Sequence, residues 1–298
     1  MTIGLIDVDG HHFPNLALMK ISAWHKSQGD SVEWHCGLKH YDRVYMSRVF
    51  DDTYSNDYEF CINADEIIRG GTGYDLKNKL PDAVEHIYPD YSLYPDLTRD
   101  TAYGFLTRGC PRACAFCIVA EKEGRKSQKV ADLSEFWRGQ KNIKLLDPNL
   151  LACRDHVSLL QQLADSRAYV DFTQGLDIRC VNRDNIELLN RTKVKEIHFA
   201  WDNPKDDLEK YFMRYKKQAK HKPHGHFGGV YVLTNFNSTQ DEDLYRIYAL
   251  RDWGFDPYVM IYDKPNAPHE TRLLQRWCNN KIIFRSEPDF KKYDPKRG

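Results

Sequence analysis

The sequence predicts an α/β protein of 298 residues, built from parallel strands joined by crossover helices. Short apolar runs with strand character alternate with segments whose apolar residues recur at helical spacing. After residue 101 this alternation becomes a regular series of six β-then-α units. Six such units in succession predict a barrel or partial barrel, in which the chemistry sits at the carboxyl ends of the strands.

The first hundred residues predict a smaller α/β region of their own. Residues 3–8 read as a buried first strand, and residues 15–28 as a helix that Gly29 stops. Further strands are expected at 31–34, 43–46, 59–63 and 66–68, the last of them leading into Gly70-Gly71-Thr72-Gly73. Pro81, Pro89 and Pro95 predict that residues 81–100 form an irregular linker. The expected domains are residues 1–80, a linker at 81–100, a barrel domain at 101–285 and a tail at 286–298.

In residues 101–285 the apolar segments predict alternating strands and helices. Polar residues follow every predicted strand, as expected where strand ends form a site. The strands are expected at 103–106, 143–146, 169–172, 196–201, 229–234 and 257–262, and the helices between and after them at 155–165, 184–190, 206–220, 241–253 and 269–278.

Charge and cysteine content narrow the class of protein. The 43 basic and 43 acidic residues balance, so the overall charge favours neither a nucleic acid nor a membrane as partner. No apolar run approaches the roughly 20 residues that span a bilayer, and the amino terminus lacks the basic region of a signal peptide. Eight cysteines without such a signal predict a reducing compartment, the cytoplasm.

Three of the cysteines form a C-x3-C-x2-C run: Cys110, Cys114 and Cys117. Closely spaced thiolates are typical ligands of an iron–sulfur cluster, and three of them leave one iron of a cubane open for another ligand. Zinc is the rival, but a structural zinc site needs four ligands and no second close pair of Cys or His follows. Histidines could supply ligands only through long-range folding: His11, His12, His221, His224 and His226. The other cysteines are expected as small buried apolar residues: Cys36, Cys61, Cys153, Cys180 and Cys278.

The cysteine run, with the aromatic Phe116 before its last cysteine and a predicted strand before its first, resembles the radical S-adenosylmethionine (radical SAM) superfamily. The resemblance covers residues 101–285. It implies a partial (β/α)6 TIM-like barrel, and a [4Fe–4S] cluster whose open iron holds SAM by its amino and carboxylate groups. It further implies an electron donor such as flavodoxin or ferredoxin, and a 5′-deoxyadenosyl radical that removes hydrogen from the substrate.

The resemblance also suggests contacts to SAM. In place of the Gly-Gly-Glu run that many members carry, this chain has Asp147-Pro148-Asn149 after the second strand, so Asp147 is the candidate partner of the SAM ammonium and Asn149 a further cofactor-binding candidate. A helix cap or an Asp-Pro turn is the alternative reading of Asp147. After the next strands, Arg179 is a candidate partner of the methionyl carboxylate. Gln174 and Asp177 are candidates for the ribose hydroxyls and Asp202 for a similar contact, with surface salt bridges as the alternative.

The amino-terminal region resembles the Rossmann-like cobalamin-binding domain that precedes many radical SAM barrels. Asp9 and His11 match its Asp-x-His, but Pro14 stands where glycine is expected, so we expect a degenerate domain without cobalamin. Methylthiotransferases of transfer RNA form a second comparison, yet Cys36 and Cys61 are too few for their additional cluster. The basic segments 122–129 and 216–226 could touch phosphates or be ordinary solvated surface.

The expected function is therefore that of a cytoplasmic radical SAM enzyme acting on a small molecule, a peptide or a nucleoside. Three alternatives remain open at this point. One is a non-catalytic iron–sulfur or zinc protein that acts through a partner. The second is a barrel that binds SAM without turnover, and the third is an RNA-modifying enzyme like the methylthiotransferases.

Overall fold

The computed structural model describes residues 1–10, 12–225 and 228–296, and it confirms the α/β class and the parallel sheets. His11 and His226, both named above as possible ligands, lie outside the described residues. The chain forms two compact units. The first contains residues 1–104 and 131–143, and the second contains residues 105–130 and 144–298. No helix in the described ranges is long and apolar enough to cross a membrane.

The first unit contains a parallel four-stranded sheet in the order β2-β1-β3-β4. Its strands are β1 (Thr2–Asp7), β2 (Ser31–Trp34), β3 (Tyr41–Ser47) and β4 (Ala64–Gly70). Helix α1 (Leu16–Ser27) begins at Asn15, whose side chain accepts the N–H of Leu18, and it packs Leu18 and Ile21 on Ile3 and Leu5. The apolar pattern of β1 and α1 therefore predicted the core of this unit.

Residues 59–63, which the sequence predicts as a strand, are irregular in the structure. Phe60 is 75% exposed, so the run has no buried face that would hold a strand in register. Residues 81–100 contain the short helices α2 (Asp82–Glu85) and α3 (Pro95–Thr98). The Tyr91 hydroxyl fixes this segment by donating to the carbonyl of Phe136, at 2.6 Å. Strand β5 (Thr101–Gly104) follows.

The second unit has its elements close to where the sequence predicts them. Within this unit β10 pairs with β9, β12 pairs with β11 and β13, and β6 pairs with β7. The strands are β6 (Thr107–Arg108), β7 (Gln128–Lys129), β8 (Asn142–Leu145), β9 (Tyr169–Phe172), β10 (Lys193–Ile197), β11 (Phe199–Ala200), β12 (Val230–Thr234) and β13 (Pro257–Ile261). The helices are α4 (Val119–Lys122), α5 (His156–Ser166), α6 (Arg183–Arg191), α7 (Glu209–Gln218), α8 (Gln240–Asp252), α9 (His269–Asn279) and α10 (Lys281–Ser286).

The strand predicted at 196–201 is divided in the structure, and this separates the two larger sheets. The pairing of β10 with β9 shifts register between Val194 and Glu196, and His198 stands between β10 and β11. The described residues form no closed barrel, and the partial barrel of six units is not confirmed. The carboxyl-terminal residues pack on the unit, because the Phe290 ring lies 5.4 Å from that of Trp277.

Arg246 on α8 is fully buried and holds the ends of two strands. Its guanidinium donates to the carbonyls of Trp201 (2.7 Å), Asp202 (2.9 Å) and Leu233 (2.9 Å), and it pairs with Asp243 on its own helix. A planar fork with five N–H groups can satisfy several carbonyls at once. This arginine therefore fixes the segment that carries Asp202.

We expect Arg246→Lys to lower the free energy of unfolding by about 3 kcal/mol, because an ammonium cannot reach all of these buried acceptors. Urea denaturation of the purified protein measures the loss. Arg183→Lys is the matched control, since Arg183 is exposed at the start of α6. Equal free energies of unfolding for the two variants would show that the Arg246 guanidinium stabilises the fold only through its charge.

Candidate metal centre

The three cysteines lie in a loop whose stem is a short antiparallel ribbon. Thr107 of β6 pairs with Lys129 of β7, and Arg108 pairs with Gln128. Glu123 ties the loop to this stem by accepting the backbone N–H of Gly109 at 3.1 Å and the Arg108 guanidinium at 3.0 Å. The segment from residue 109 to residue 127, called the cysteine loop below, is therefore closed at its base.

Gly109 allows the chain to turn into the cysteine loop. Its φ is +83°, and a Cβ at this position would lie 2.3 Å from the carbonyl oxygen of Lys126. The next residue, Cys110, donates its N–H to the carbonyl of Gly124 at 3.1 Å. Only glycine permits both this conformation and this approach of two backbone segments.

Asp147, which follows β8, binds the residues that lead into the cysteine loop. Its carboxylate accepts the backbone N–H of Leu106 (3.1 Å), the backbone N–H of Thr107 (2.6 Å) and the Thr107 hydroxyl (2.6 Å). Burial raises the pKa of Asp147 to about 6, although these hydrogen bonds oppose the rise. The predicted contact with the SAM ammonium stays a prediction, and the structure shows this carboxylate bound to the chain.

The three thiols of the run are free, with Cys110 and Cys114 half-buried and Cys117 exposed. The N–H of Cys117 donates to the carbonyl of Cys114 at 3.0 Å, and Ala113 has a φ of +46°, so the backbone turns tightly between the ligands. Burial raises the pKa of the Cys114 thiol, the charges of Asp202, Cys117 and Cys110 add to the rise, and Arg179 opposes it. These charge interactions place Asp202 and Arg179 near the loop.

Asn149 contacts the first cysteine directly. Its side-chain amide lies 3.5 Å from Cys110 Sγ, as a donor to sulfur, although the residue is only 3% exposed. The Asn149 carbonyl oxygen Oδ1 is buried and has no hydrogen-bond partner in the described part of the chain. Hydrogen bonds to cluster ligands tune iron–sulfur centres, so an amide here fits such a centre. This oxygen is therefore an acceptor to which no donor of the described residues is bound.

A charged chain ties the cysteine loop to the segment after β9. Arg112, between Cys110 and Cys114, donates through Nε to Asp177 at 2.6 Å. Asp177 also accepts Arg179 Nε at 2.8 Å, and Arg179 Nη1 donates to Asp206 at 2.6 Å. Burial alone would raise the pKa of Asp177, but the bonds from Arg179 and Arg112 hold it below its usual range. Asp177 thus positions both arginines at the loop.

Asp202 and Phe116 complete the described neighbourhood. Burial raises the pKa of Asp202 to about 6, against the opposing charges of Arg246 and Arg179. The Phe116 ring packs edge-on against Phe236 at 5.4 Å, and Phe236 packs on Tyr262 at 4.9 Å. Gln174 is exposed in the turn after β9, and in the residues that the structure describes no hydrogen bond or ion pair ties it to the cysteine loop.

The chemistry of the donor set fits an iron–sulfur cluster. Three thiols of one loop are typical cluster ligands, and the Asn149 amide donates to the first of them. Among the described residues, another group has three ligand atoms within 4.8 Å of one another: Asp171, Glu196 and His198.

Several residues of this site were not singled out from the sequence. Arg112 and Glu123 have partners within the second unit that lie far away in the sequence, and Phe236 meets Phe116 only in the fold. Cys180, expected as a small buried residue, is half-buried, and its charge interacts with that of Cys110. Cys36 and Cys61 were also expected to be buried and are exposed, while Cys153 and Cys278 are buried as expected.

Comparison with known proteins adds no assignment to this geometry: no protein-family model matches the chain, and no curated protein matches it.

We expect Gly109→Ala to destabilise the cysteine loop far more than Gly124→Ala. Both glycines have positive φ, but a Cβ at Gly124 meets nothing within 4 Å. The strain of a positive φ costs about 1–2 kcal/mol in either variant, and the clash at Gly109 adds about 2 kcal/mol. Denaturant unfolding and iron content after anaerobic reconstitution measure the effect. If both variants lose stability equally, the contact between Gly109 and the Lys126 carbonyl does not restrict residue 109 to glycine.

The stabilising effect of Asp147 should depend on pH. Its pKa of about 6 lies above the ordinary 3.8, so the folded protein binds this proton more tightly than the unfolded chain. The contribution of Asp147 to the free energy of unfolding is therefore largest below about pH 4 and decreases as pH rises to about 6.

Asp147→Asn removes this titration, so the difference in unfolding free energy between wild type and variant should be larger at pH 4 than at pH 7. Urea unfolding at the two pH values, without SAM, measures it. Asp184→Asn, at an exposed position on α6, controls for general charge effects. A difference that does not change with pH would contradict the raised pKa.

Proposed function

We propose that this chain is a radical SAM enzyme. The observation that carries the proposal is the spacing of Cys110, Cys114 and Cys117, with Phe116 before the last of them, in a closed loop ahead of successive β/α units. Cys110, Cys114 and Cys117 would hold a [4Fe–4S] cluster as thiolate ligands, and SAM would bind at the iron that they leave open. The bound cluster and SAM supply the electron transfer and the 5′-deoxyadenosyl radical, which no amino-acid side chain provides.

The protein's own part in the proposed reaction is to fix the ligands and to position SAM. Asp147 and Glu123 hold the two sides of the loop base, and Asp177 holds Arg112 between the first two ligands. The Asn149 oxygen without a partner supports a second task, since it can accept an N–H of the SAM ammonium. In this proposal Asn149, rather than Asp147, contacts that group.

Arg179 and Asp202 have charges that suit the remaining polar groups of SAM. Arg179 is partly exposed and its guanidinium has donors beyond those used by Asp177 and Asp206, so it can face the methionyl carboxylate. Asp202 is an acceptor for ribose hydroxyls, and the Phe116–Phe236 pair offers an apolar wall to the adenine. These contacts, and a partial (β/α)6 barrel around them, belong to the proposal.

The first unit supports the proposal of a degenerate cobalamin-type domain. The Asp9 carboxylate accepts the backbone N–H groups of Val49 and Phe50, so it is engaged by the chain. Gly71 and Gly73 lie where a Cβ would meet the carbonyl oxygens of Arg48 and Phe50, within 2.3 Å. Both features favour close packing of loops over a corrin site. We propose that this unit is structural and that the enzyme works in a reducing compartment.

A second candidate function rests on Cys180. Because its charge interacts with that of Cys110, a fourth thiolate near the loop would close the cluster and leave no iron for SAM. The protein would then be a non-catalytic iron–sulfur protein. Burial raises the pKa of the Cys180 thiol, and this favours the protonated form over a ligand.

Anaerobic reconstitution with iron and sulfide, followed by reduction in the presence of SAM, tests both candidates. We expect a cluster with the absorption of [4Fe–4S] and formation of 5′-deoxyadenosine. Cys114→Ala should lose iron, sulfide and SAM cleavage together, because a ligand is removed. Cys180→Ala is the matched control and should keep all three.

Two results would overturn the proposal. A reduced, fully loaded cluster that forms no 5′-deoxyadenosine would exclude this chemistry. Loss of the cluster in Cys180→Ala, to the same extent as in Cys114→Ala, would identify a fourth ligand and establish the second candidate instead. Zinc without sulfide in the native protein would exclude a cluster altogether.

A further inference from the structure

One face of the strands β9, β10, β12 and β13 carries charged and aromatic residues, unlike the opposite face. The valines on the opposite face are at most 4% exposed: Val170, Val194, Val230, Val232 and Val259. Their strand neighbours, which point the other way, include Asp171, Glu196, Tyr231 and Tyr258. Parallel strands are normally apolar on both faces, so charged residues on this one need a reason other than packing.

Asp171 is the most buried charged residue of this face. Its side chain is 6% exposed, and one oxygen, Oδ2, lies 3.3 Å from the ammonium of Lys144. The other oxygen, Oδ1, is buried and has no hydrogen-bond partner among the described residues. Burial raises the pKa of Asp171, the charge of Lys144 lowers it and that of Glu196 raises it, while the nearby Thr173 hydroxyl also lowers it. A buried carboxylate oxygen without a donor is costly unless a ligand supplies one.

Glu196 lies beside Asp171, paired with it in register across β10 and β9. One ligand atom from each of Asp171, Glu196 and His198 lies within 4.8 Å of the others, an arrangement that suggests a divalent metal ion. The imidazole of His198 argues against this. Its Nδ1 accepts the backbone N–H of Gly229 at 3.3 Å, so the proton of the neutral ring is on Nε2.

Nε2 of His198 lies 3.4 Å from a Glu196 oxygen. A nitrogen that carries a proton cannot bind a metal, and metal-binding histidines donate from their second nitrogen rather than accept there. The two carboxylates with Lys144 and a neutral His198 leave one uncompensated negative charge. The site therefore lacks one positive charge.

Aromatic rings border the carboxylates. Tyr231 stacks on His198 with ring centroids 4.9 Å apart, and Tyr258 packs edge-on against Tyr231 at 5.9 Å. Tyr258 is 41% exposed, so this side of the site is open. Tyrosine faces attract organic cations as well as apolar carbon. A ligand with an alkyl chain and a positively charged end matches this combination.

We propose that this face binds the ammonium group of the substrate between Asp171 and Glu196, and that the substrate is therefore an amine. That the amine is a substrate rests on the proposed function. The binding site itself does not depend on SAM. The ammonium donates to Asp171 Oδ1 and to Glu196, and its alkyl chain lies against Tyr231 and Tyr258.

The test measures binding of n-butylammonium and putrescine to the full-length reconstituted protein. Ligand-observed NMR, without reductant, detects the binding. Butan-1-ol has the same carbon chain without the charge and is the control ligand. We expect both amines to bind and the alcohol not to bind. Asp171→Asn and Glu196→Gln should each weaken amine binding about 10- to 100-fold, the effect of losing a hydrogen bond between charged groups.

Glu187→Gln, at an exposed position on α6, is the matched control and should bind amines as the wild type does. Thermal unfolding checks that each variant is folded, and Glu196→Gln keeps the test valid if the buried Asp171 variant is unstable. Equal binding of amine and alcohol, or amine binding unchanged in both site variants, would overturn the proposal.

Mn²⁺ titration followed by electron paramagnetic resonance forms the second arm. Mn²⁺ binding that Asp171→Asn abolishes and that displaces the amines would identify a metal site and also overturn the proposal. Failure of this inference and failure of the proposed function are distinguishable. Amine binding without 5′-deoxyadenosine formation refutes only the radical SAM activity, whereas SAM cleavage without amine binding refutes only the amine site.

Discussion

The buried carboxylate of Asp147 is the interaction on which the candidate site depends. It accepts two successive backbone N–H groups, of Leu106 and Thr107, and thereby fixes the point at which the chain leaves the sheet for the cysteine loop. Burying a carboxylate is unfavourable, which is why its pKa rises to about 6, and the three hydrogen bonds offset part of that cost. The ribbon of β6 with β7, at the base of the cysteine loop, begins at this point.

Ion pairs with the segment after β9 hold the part of the cysteine loop that carries Arg112. Arg112 lies between two of the cysteines and is bound by Asp177, which also orients Arg179 toward the same region. Such networks are effective only when every member is satisfied, and here Asp206 completes the chain. The buried side-chain atoms without a hydrogen-bond partner in the described residues include the oxygen of Asn149 near Cys110 and the oxygen of Asp171 on the face that β9 and β10 share. Such an atom calls for an explanation, and for these two acceptors the one proposed here is a ligand.

Much of the fold followed from local pattern. Residues 169–172 form a strand as predicted, and α6, α8 and α9 lie within one residue of the predicted helices, because periodicity is a property of neighbouring residues. Predictions failed where a contact from far away decides the structure. Residues 59–63 have no buried face, and the strand at 196–201 is broken where His198 receives the N–H of Gly229. The exposure of Cys36 and Cys61 depends equally on what the fold leaves uncovered.

The sequence by itself determined the α/β class, most of the elements and the cysteine trio as candidate ligands, since each is written in the spacing of nearby residues. Only the tertiary structure decided what the other polar residues do. It bound Asp147 to the chain, left Asn149 with a free acceptor at Cys110, and brought Asp171, Glu196 and His198 to one face. The physical reason is that hydrogen bonds and burial join residues 25 to 65 positions apart, and no local pattern encodes which partner a polar side chain will meet.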